Sequence, residues 1–415
     1  MIKPDNTQTT SFVNFADRNT FVWWGLLLAS AWLAFAVTPW GALFWLAALL
    51  IDDTAFWVLG RSLLFDSQLR VRRNYQWIHN MYDATTGGGR DLGFNLVVDG
   101  KLSQRAKYEH MARRLGLKKG MAICDVGCGY GDWLRYCRDE LGCTAVGINM
   151  TPEQADYARR VYGLEVHTTN WKEILVDARL QKKLFGRFDA VTFMDTVEHY
   201  VSMEDRNDLA KQRRIYADMC LLAASLLNEH SPGRRVFLSC LHQTRKPRNW
   251  KFYWHAYFMD KMYSGYYPFV DEGPLAECRP WFDAVSVEDR TEDYRLTGVR
   301  DRRHFQAVCV RPTPKKAAYL AALLFLDPHV LHRLLYYACD SWMFFYGENA
   351  YAQDYDPAYR RSVSFVLLYW ITLELRPVRP VGHARAGARQ ATKAPLRRPD
   401  EMREPTLPRR QPPQL

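Results

Sequence analysis

The fold of this chain is decided by the run Asp125-Val126-Gly127-Cys128-Gly129-Tyr130-Gly131. A short apolar segment, 121–124, precedes this run, and a helix-like segment begins at Asp132. The order predicts a strand, a tight glycine turn and a helix. Glycines at alternate positions let the backbone bend sharply and approach a ligand closely, and the helix points its free N–H groups at the turn. The spacing matches neither the G-x-G-x-x-G turn of dinucleotide-binding folds nor a P-loop.

Strand-like and helix-like segments alternate after the glycine turn. Apolar runs at 144–149, 165–168 and 187–193 are typical of strands, and Thr151 with Pro152 predicts a helix start. This alternation predicts an α/β fold with a doubly wound parallel sheet, whose ligands bind at the carboxyl ends of the strands. Three polar residues follow predicted strands, namely Asn149, Asn170 and Glu198.

An apolar stretch precedes this domain. No charged residue occurs from Phe21 to Ile51, and Pro39 and Gly41 interrupt the stretch near its middle. A membrane span needs roughly 20 apolar residues. We therefore expect a membrane anchor at 21–60 that contains one or two apolar helices, and two such helices would form a transmembrane helical hairpin. A buried hairpin in a soluble protein is the alternative. Arginines follow the stretch, and by the positive-inside rule they predict that the domain after the anchor faces the cytoplasm; they are Arg61, Arg70, Arg72 and Arg73.

The last forty positions differ from the rest of the chain. The net charge of the chain is +11, and the segment 376–415 contributes +7 of it while holding few large apolar residues. Such a composition predicts a basic, Pro/Arg-rich disordered tail. The tail either contacts anionic lipid or nucleic acid, or only increases solubility. The rest of the chain is close to neutral, so we expect no nucleic-acid partner, and the sequence gives no indication of the oligomeric state.

The predicted organisation therefore has six parts. These are an N-terminal segment (1–20), the anchor (21–60), a linker with helices (61–118), the α/β domain with the glycine turn (119–312) and an aromatic lid (250–270), C-terminal helices (313–375) and the tail (376–415). The nine cysteines include no C-x-x-C pair and match no zinc template, so we expect no metal site.

The D-x-G-x-G-x-G spacing resembles motif I of class I S-adenosylmethionine-dependent methyltransferases. Further segments resemble the cyclopropane-fatty-acyl-phospholipid synthase family, which includes the mycolic acid cyclopropane synthases. They are Tyr82-Asp83, Gly147–Gln154, Phe188–His199 and Asp293–Thr297. The resemblance covers roughly 75–310. An apolar anchor ahead of such a domain is also similar to fungal sphingolipid C9-methyltransferases of the same group.

This resemblance implies S-adenosylmethionine as cofactor, a Rossmann-like class I fold and a membrane lipid as substrate. It implies that Glu198 and Tyr294 belong to an active site where the family binds a bicarbonate ion as base. The implied cofactor-binding residues are Tyr82, Asp125, Gly127, Gly129, Gly131, Asn149, Gln154, Asn170 and Trp171.

The sequence departs from the family at two ion contacts. The family's Tyr-Ser-Cys corresponds here to 92–95, which contains no cysteine, and its histidine after the fifth strand is replaced by Cys240, with His242 two positions later. Three hypotheses follow. The first is methyl or methylene transfer to an unsaturated acyl chain of a lipid. The second is methyl transfer to another lipid or small-molecule N/O nucleophile, and the third is a catalytically silent membrane scaffold.

Overall fold

A computed structural model describes residues 93–202, 205–243, 266–294, 296–297 and 366–377, together with isolated positions near 25–36 and 314–321. Within these ranges we find no helix with the length and apolar character that crossing a bilayer requires. Most of the predicted anchor, Tyr82, most of the aromatic lid and nearly all of the tail lie outside the described residues.

The strands were assigned as follows. A small antiparallel hairpin pairs β1 (Leu96–Val98) with β2 (Lys101–Ser103). The main strands are β3 (Ala122–Val126), β4 (Thr144–Asn149), β5 (Glu165–Thr168), β6 (Ala190–Phe193), β7 (Arg235–Gln243), β8 (Phe282–Asp289) and β9 (Val366–Leu375).

The helices cover both faces of the main sheet. Those labelled here are α1 (Gln104–Leu115), α2 (Asp132–Asp139), α3 (Pro152–Tyr162), α4 (Trp171–Ile174), α5 (Ala178–Leu184), α6 (Leu209–Leu226) and α7 (Pro274–Glu277). Buried residues of α1, α2 and α3 form one apolar cluster, and those of α4 to α7 contribute to a second cluster on the other face. The main sheet is therefore the middle layer of a three-layer fold.

The main sheet has seven strands in the order β5-β4-β3-β6-β7-β9-β8. Strands β5, β4, β3, β6 and β7 are parallel, as predicted. Strand β9 pairs antiparallel with both β7 and β8, so the sheet is mixed. The prediction of a doubly wound sheet is confirmed for the five parallel strands, and the antiparallel pair was not predicted.

Residues 362–373 were predicted to be helical, and this prediction was wrong for the strand β9. Leu368 and Trp370 face one apolar cluster, whereas Tyr369 and Ile371 face the other. Both sides of the strand are thus buried. A run that is apolar on both sides does not show the alternation of a half-buried strand, and periodicity alone cannot separate it from a buried helix. The sheet of the catalytic domain therefore extends past the predicted boundary at 312.

Candidate active site

The glycine turn lies between β3 and α2, and its three glycines all have positive φ angles. A Cβ on Gly127 would lie 2.2 Å from Cγ2 of Thr196, and a Cβ on Gly131 would lie 2.7 Å from Cδ1 of Leu164. Close packing therefore excludes side chains at these two positions. A Cβ on Gly129 would meet no atom within 4 Å. Gly129 therefore borders open space at the turn, where a ligand could approach the backbone.

Strand β4 fixes the geometry of this turn. The carbonyl of Ile148 accepts hydrogen bonds from the backbone N–H groups of Gly127 (2.7 Å) and Cys128 (3.1 Å). The buried Asp125 at the end of β3 accepts a 2.6 Å hydrogen bond on Oδ1 from the hydroxyl of Thr192 in β6. Asp125 therefore links the turn to the neighbouring strand.

Asn149 and Gln154 form a buried amide pair beside the turn. Nδ2 of Asn149 donates to the carbonyl of Gly129 (2.9 Å) and to Oε1 of Gln154 (3.1 Å). Oδ1 of Asn149 accepts from the N–H of Thr151. Both donor hydrogens of Asn149 are thus engaged with the protein. Nε2 of Gln154 is buried and has no hydrogen-bond partner in the described part of the chain. Because an unsatisfied buried donor is costly, Gln154 fits a ligand that brings an acceptor oxygen or nitrogen.

Asn170 and Trp171 follow β5 at the same edge of the sheet. Oδ1 of Asn170 caps α4 by accepting from the N–H of Lys172 at 3.0 Å. The buried Trp171 lies 4.7 Å from the ring of Tyr200, at an interplanar angle of 33°. The structure brings both residues to the carboxyl ends of the strands, as predicted. Their described contacts are structural, and their roles towards a cofactor stay predictions.

Glu198 lies on a short 3-10 turn, Val197–His199, just after β6. Its side chain is buried, and Oε1 accepts a 2.9 Å hydrogen bond from the backbone N–H of Leu241 in β7. Burial, and secondly the negative charge of Asp195, raise the pKa of Glu198 to about 8. At neutral pH the Glu198 carboxyl is therefore mainly protonated.

Asp195 is a site residue that the sequence analysis did not select. It has a φ angle of 52°, in the left-handed region that few non-glycine residues adopt. Its Oδ1 accepts a 2.6 Å hydrogen bond from the hydroxyl of Ser239, whose oxygen accepts a 2.6 Å bond from the N–H of Asp195. Its Oδ2 accepts from the N–H of Phe94 at 3.2 Å. The only sequence signal was an acidic residue directly after a predicted strand.

Tyr294 reaches this region through an aromatic contact. Its ring meets the ring of Phe94 edge to face, with centroids 4.6 Å apart. Nearby, the side chain of Asp293 accepts from the N–H of Val97 at 2.7 Å, and the hydroxyl of Thr297 accepts from the N–H of Asn95 at 3.1 Å. The segment 93–97 is thus held between Asp195 and residues 293–297. The structure places Tyr294 beside this segment, and its catalytic role stays a prediction.

The expectation that Cys240 replaces the family's histidine needs correction. Cys240 is fully buried in the apolar cluster on the α6 side, and burial raises the pKa of its thiol well above the usual value. Side chains alternate along a strand, and Ser239 is the residue of β7 that binds Asp195. His242 is also fully buried, and burial lowers its pKa to about 4. Neither Cys240 nor His242 is therefore placed to act as a base beside Asp195.

The arrangement defines a class of protein: a class I methyltransferase fold with a glycine turn after β3 and two carboxyl side chains, Asp195 and Glu198, after the adjacent strand β6. Comparison with known proteins agrees with this class. Residues 100–230 match the family model of mycolic acid cyclopropane synthetase. The predicted resemblance to S-adenosylmethionine-dependent methyltransferases of the cyclopropane synthase type is thereby confirmed.

Individual relatives match over short segments. The chain is 31% identical over 114 residues to the cyclopropane-fatty-acyl-phospholipid synthase of Escherichia coli (strain K12), covering 25% of this chain and 28% of that protein. It is 28% identical over 155 residues to the sphingolipid C9-methyltransferase of Candida albicans, covering 36% of this chain and 26% of the other. The chain therefore spans about a quarter of the length of these relatives.

The fold is also similar to a solved cyclopropane synthase from Mycobacterium tuberculosis. The TM-score is 0.55 at 14% sequence identity, and the match covers 74% of this chain and 97% of that one. A mycolic acid cyclopropane synthase solved in complex with SAH gives a TM-score of 0.53 at 16% identity, with 74% and 98% coverage. At such identities these structures support the fold alone.

Proposed function

We propose that this protein is an S-adenosylmethionine-dependent methyltransferase that adds a methyl or methylene carbon to an unsaturated acyl chain of a lipid. The observation that carries the proposal is the position of Glu198. A buried carboxyl with a raised pKa lies at the carboxyl ends of β6 and β7, close to a glycine turn of the class I methyltransferase type. Perturbed carboxyls in such positions are typical of active sites.

The residues around the glycine turn fit S-adenosylmethionine. Gly129 borders open space, and Gln154 has a buried amide donor without a partner among the described residues. The hydrogen bond from Asn149 to the carbonyl of Gly129 holds the glycine turn against the end of β4. When bound, S-adenosylmethionine supplies an electrophilic methyl group. Asp125 acts indirectly, because its bond to Thr192 holds the end of β3.

An alkene that accepts a methyl group becomes a carbocation, so its site must exclude water and remove a proton. The rings of Phe94 and Tyr294 pack edge to face, and the backbone N–H of Phe94 donates to Asp195, so this aromatic pair belongs to the segment that contacts Asp195. Aromatic faces also stabilise a nearby cation. The combination of this aromatic pair with the buried carboxyl of Glu198 supports carbon methylation over methylation of a polar nucleophile.

Methyl transfer to oxygen is the second candidate. Over 144 residues the chain is 31% identical to the ubiquinone biosynthesis O-methyltransferase of Xanthomonas oryzae pv. oryzae, covering half of that protein. An O-methyltransferase would methylate a hydroxylated acceptor and would need no proton removal from carbon. The third candidate, a silent scaffold, would not bind the cofactor.

We also propose that the protein is anchored in a membrane through segment 21–60, with the catalytic domain facing the cytoplasm. The support is the uncharged sequence of that segment and the arginines after it. Leu28 and Trp32, four positions apart on a helix, are both exposed apolar residues, as expected for a helix face that contacts lipid.

Cofactor binding tests the enzyme hypotheses first. We expect calorimetry on the full chain in detergent to show saturable S-adenosylmethionine binding, and Gly129→Arg to abolish it, because the new side chain fills the open space at the turn. Gly120→Arg is the matched control, because Gly120 also has a positive φ and no atom within 4 Å of a Cβ, but lies before β3. No binding by the wild type at millimolar cofactor would leave only the scaffold.

Transfer of a labelled methyl group then identifies the acceptor. We expect label in acyl chains of phospholipids with unsaturated fatty acids, and none with fully saturated lipids. Label that is released as methanol by saponification of a methyl ester, or as methyl iodide when hydriodic acid cleaves a methyl ether, would favour the O-methyltransferase.

A further inference from the structure

The side chain of Asp195 occupies a position that would suit a small bound anion. Two elements distant in sequence converge on this one carboxylate: Ser239 at the end of β7, and Phe94 in the segment ahead of β1. Resting on the proposed function, we propose that Asp195 is the built-in base of the reaction and takes the place of the exchangeable bicarbonate ion that the family resemblance implied.

The backbone of Asp195 supports a dedicated role. Its φ angle of 52° is costly for most residues and better tolerated by Asp and Asn. The 2.6 Å bond from its own N–H to the Ser239 hydroxyl, together with the return bond to Oδ1, holds this conformation. This residue lies two positions after the end of β6, at the edge of the sheet where ligands of such folds bind. It is only partly buried.

Among the described residues, the hydrogen-bond donors at this point are already engaged by carboxylates of the chain. The N–H of Leu241 is engaged by Glu198, and the Ser239 hydroxyl and the Phe94 N–H are engaged by Asp195. An added anion would compete for the same donors and would face the charge of Asp195 at close range. Like charges that share a site repel strongly. The Ser239 hydroxyl and the Phe94 N–H therefore bind the side-chain carboxylate of Asp195 in place of a free anion.

The proposed step balances without another reactant. After the alkene accepts the methyl group, the substrate carries a carbocation. An oxygen of Asp195 takes a proton from a carbon next to the cation, and the electron pair of that C–H bond forms a new double bond. If the proton comes from the transferred methyl group, the same pair closes a cyclopropane ring. The partly exposed Asp195 then returns its proton to solvent as the product leaves.

Glu198 complements this base. Because its pKa is raised to about 8, it is mainly neutral at pH 7 and leaves the negative charge on Asp195. The neutral carboxyl keeps its hydrogen bond from the Leu241 N–H, so the turn that carries Asp195 and Glu198 stays attached to β7. A carboxyl whose pKa is raised beside a second carboxyl is the pattern expected for a pair with separate roles.

Substitutions at Asp195 test the proposal. Asp195→Asn keeps the size and tolerates the left-handed backbone, and Asp195→Gly relieves the strain and opens the anion position. We expect both variants to bind S-adenosylmethionine within about threefold of wild type, and methyl transfer to fall by about 10²- to 10⁴-fold, as for loss of a general base. Asp99→Asn and Asp99→Gly are the matched controls, since Asp99 is an exposed aspartate with a φ of 49° in the β1–β2 turn.

Binding of ¹³C-labelled bicarbonate gives a readout that is independent of turnover. We expect exchange broadening of its carbon resonance with Asp195→Gly and none with wild type or Asp195→Asn. Bicarbonate should likewise restore part of the turnover of Asp195→Gly and leave wild type unchanged in carbon-dioxide-free buffer. Bicarbonate binding to wild type, a wild-type requirement for it, or full activity of Asp195→Asn would overturn the proposal. If wild type did not bind S-adenosylmethionine, the proposed function itself would be overturned.

Discussion

The backbone N–H of Leu241 donates a 2.9 Å hydrogen bond to Oε1 of Glu198 and so joins the end of β7 to the turn after β6. The bond places a buried carboxyl between two parallel strands, beside Asp195. Because this carboxyl is buried in the folded chain, its protonation state affects both the chemistry of the site and the free energy of unfolding.

The first prediction concerns the pH dependence of stability. The pKa of Glu198 is raised from 4.5 in the unfolded chain to about 8 in the folded protein, first by burial. Between these values the unfolded state releases a proton that the folded state keeps, so this group lowers the free energy of unfolding as pH rises. Glu198→Gln cannot titrate, and we expect its stability relative to wild type to increase from pH 4.5 to 8.

Urea unfolding of both proteins across this range measures the difference. Within the described part of the chain, the titratable groups that interact with Glu198 are Asp195, Tyr200, Tyr216 and Cys240. Burial raises the pKa of Tyr200, Tyr216 and Cys240 above their usual values, so these three stay neutral in the range. Parallel stability curves for wild type and Glu198→Gln would contradict the raised pKa.

A second prediction concerns the unpartnered amide of Gln154. Gln154→Leu removes the Nε2 donor and the acceptor that binds Asn149. We expect S-adenosylmethionine to bind about tenfold more weakly, which corresponds to loss of a typical net hydrogen bond of about 1.4 kcal/mol. Calorimetry and thermal unfolding of the same samples separate binding from folding. Equal affinity for wild type and Gln154→Leu would place the ligand elsewhere.

A third prediction separates packing from backbone strain in the glycine turn. Gly127→Ala would bring a Cβ to 2.2 Å from Thr196, whereas Gly163→Ala has a similar positive φ and no atom closer than 3.9 Å. We expect Gly163→Ala to cost about 1 kcal/mol and Gly127→Ala to cost clearly more, because overpacking adds to the strain. Denaturant titration of the two variants provides the comparison, and equal losses would show that the turn relaxes around the new methyl group.

The contact between Phe94 and Tyr294 gives a fourth prediction. A double-mutant cycle with Phe94→Ala and Tyr294→Ala should yield a coupling of about 0.5–1.5 kcal/mol, as for other edge-to-face pairs. Tyr294→Phe retains the ring and should therefore retain the coupling to Phe94. If Tyr294→Phe nevertheless lowers methyl transfer, the hydroxyl takes part in the reaction; unchanged transfer would limit Tyr294 to packing segment 93–97.

Local sequence was sufficient for the parallel half of the fold. The glycine turn, the helix start at Pro152 and the alternation of apolar runs depend on neighbouring residues in the chain, so motif spacing predicted β3 to β6 and the residues at their ends. Asp125, Asn149 and Gln154 were selected for the same reason. In the structure Asn149 and Gln154 are joined by a hydrogen bond, whereas Asp125 is bonded to Thr192 of β6, and the described side-chain contacts of Asn149 are all with the protein.

Long-range pairing decided the remainder. Strand β9 lies more than 120 residues after β7 in sequence, and its run of apolar side chains has the same composition as a buried helix until the sheet around it is known. Asp195, Ser239 and Phe94 likewise meet only because β6, β7 and the segment ahead of β1 end at the same edge of the sheet. The sequence by itself therefore determined the cofactor cradle, which one continuous segment builds. Only the tertiary structure decided the surroundings of Asp195, the proposed base, because its partners Ser239 and Phe94 come from distant segments that meet only in the folded chain.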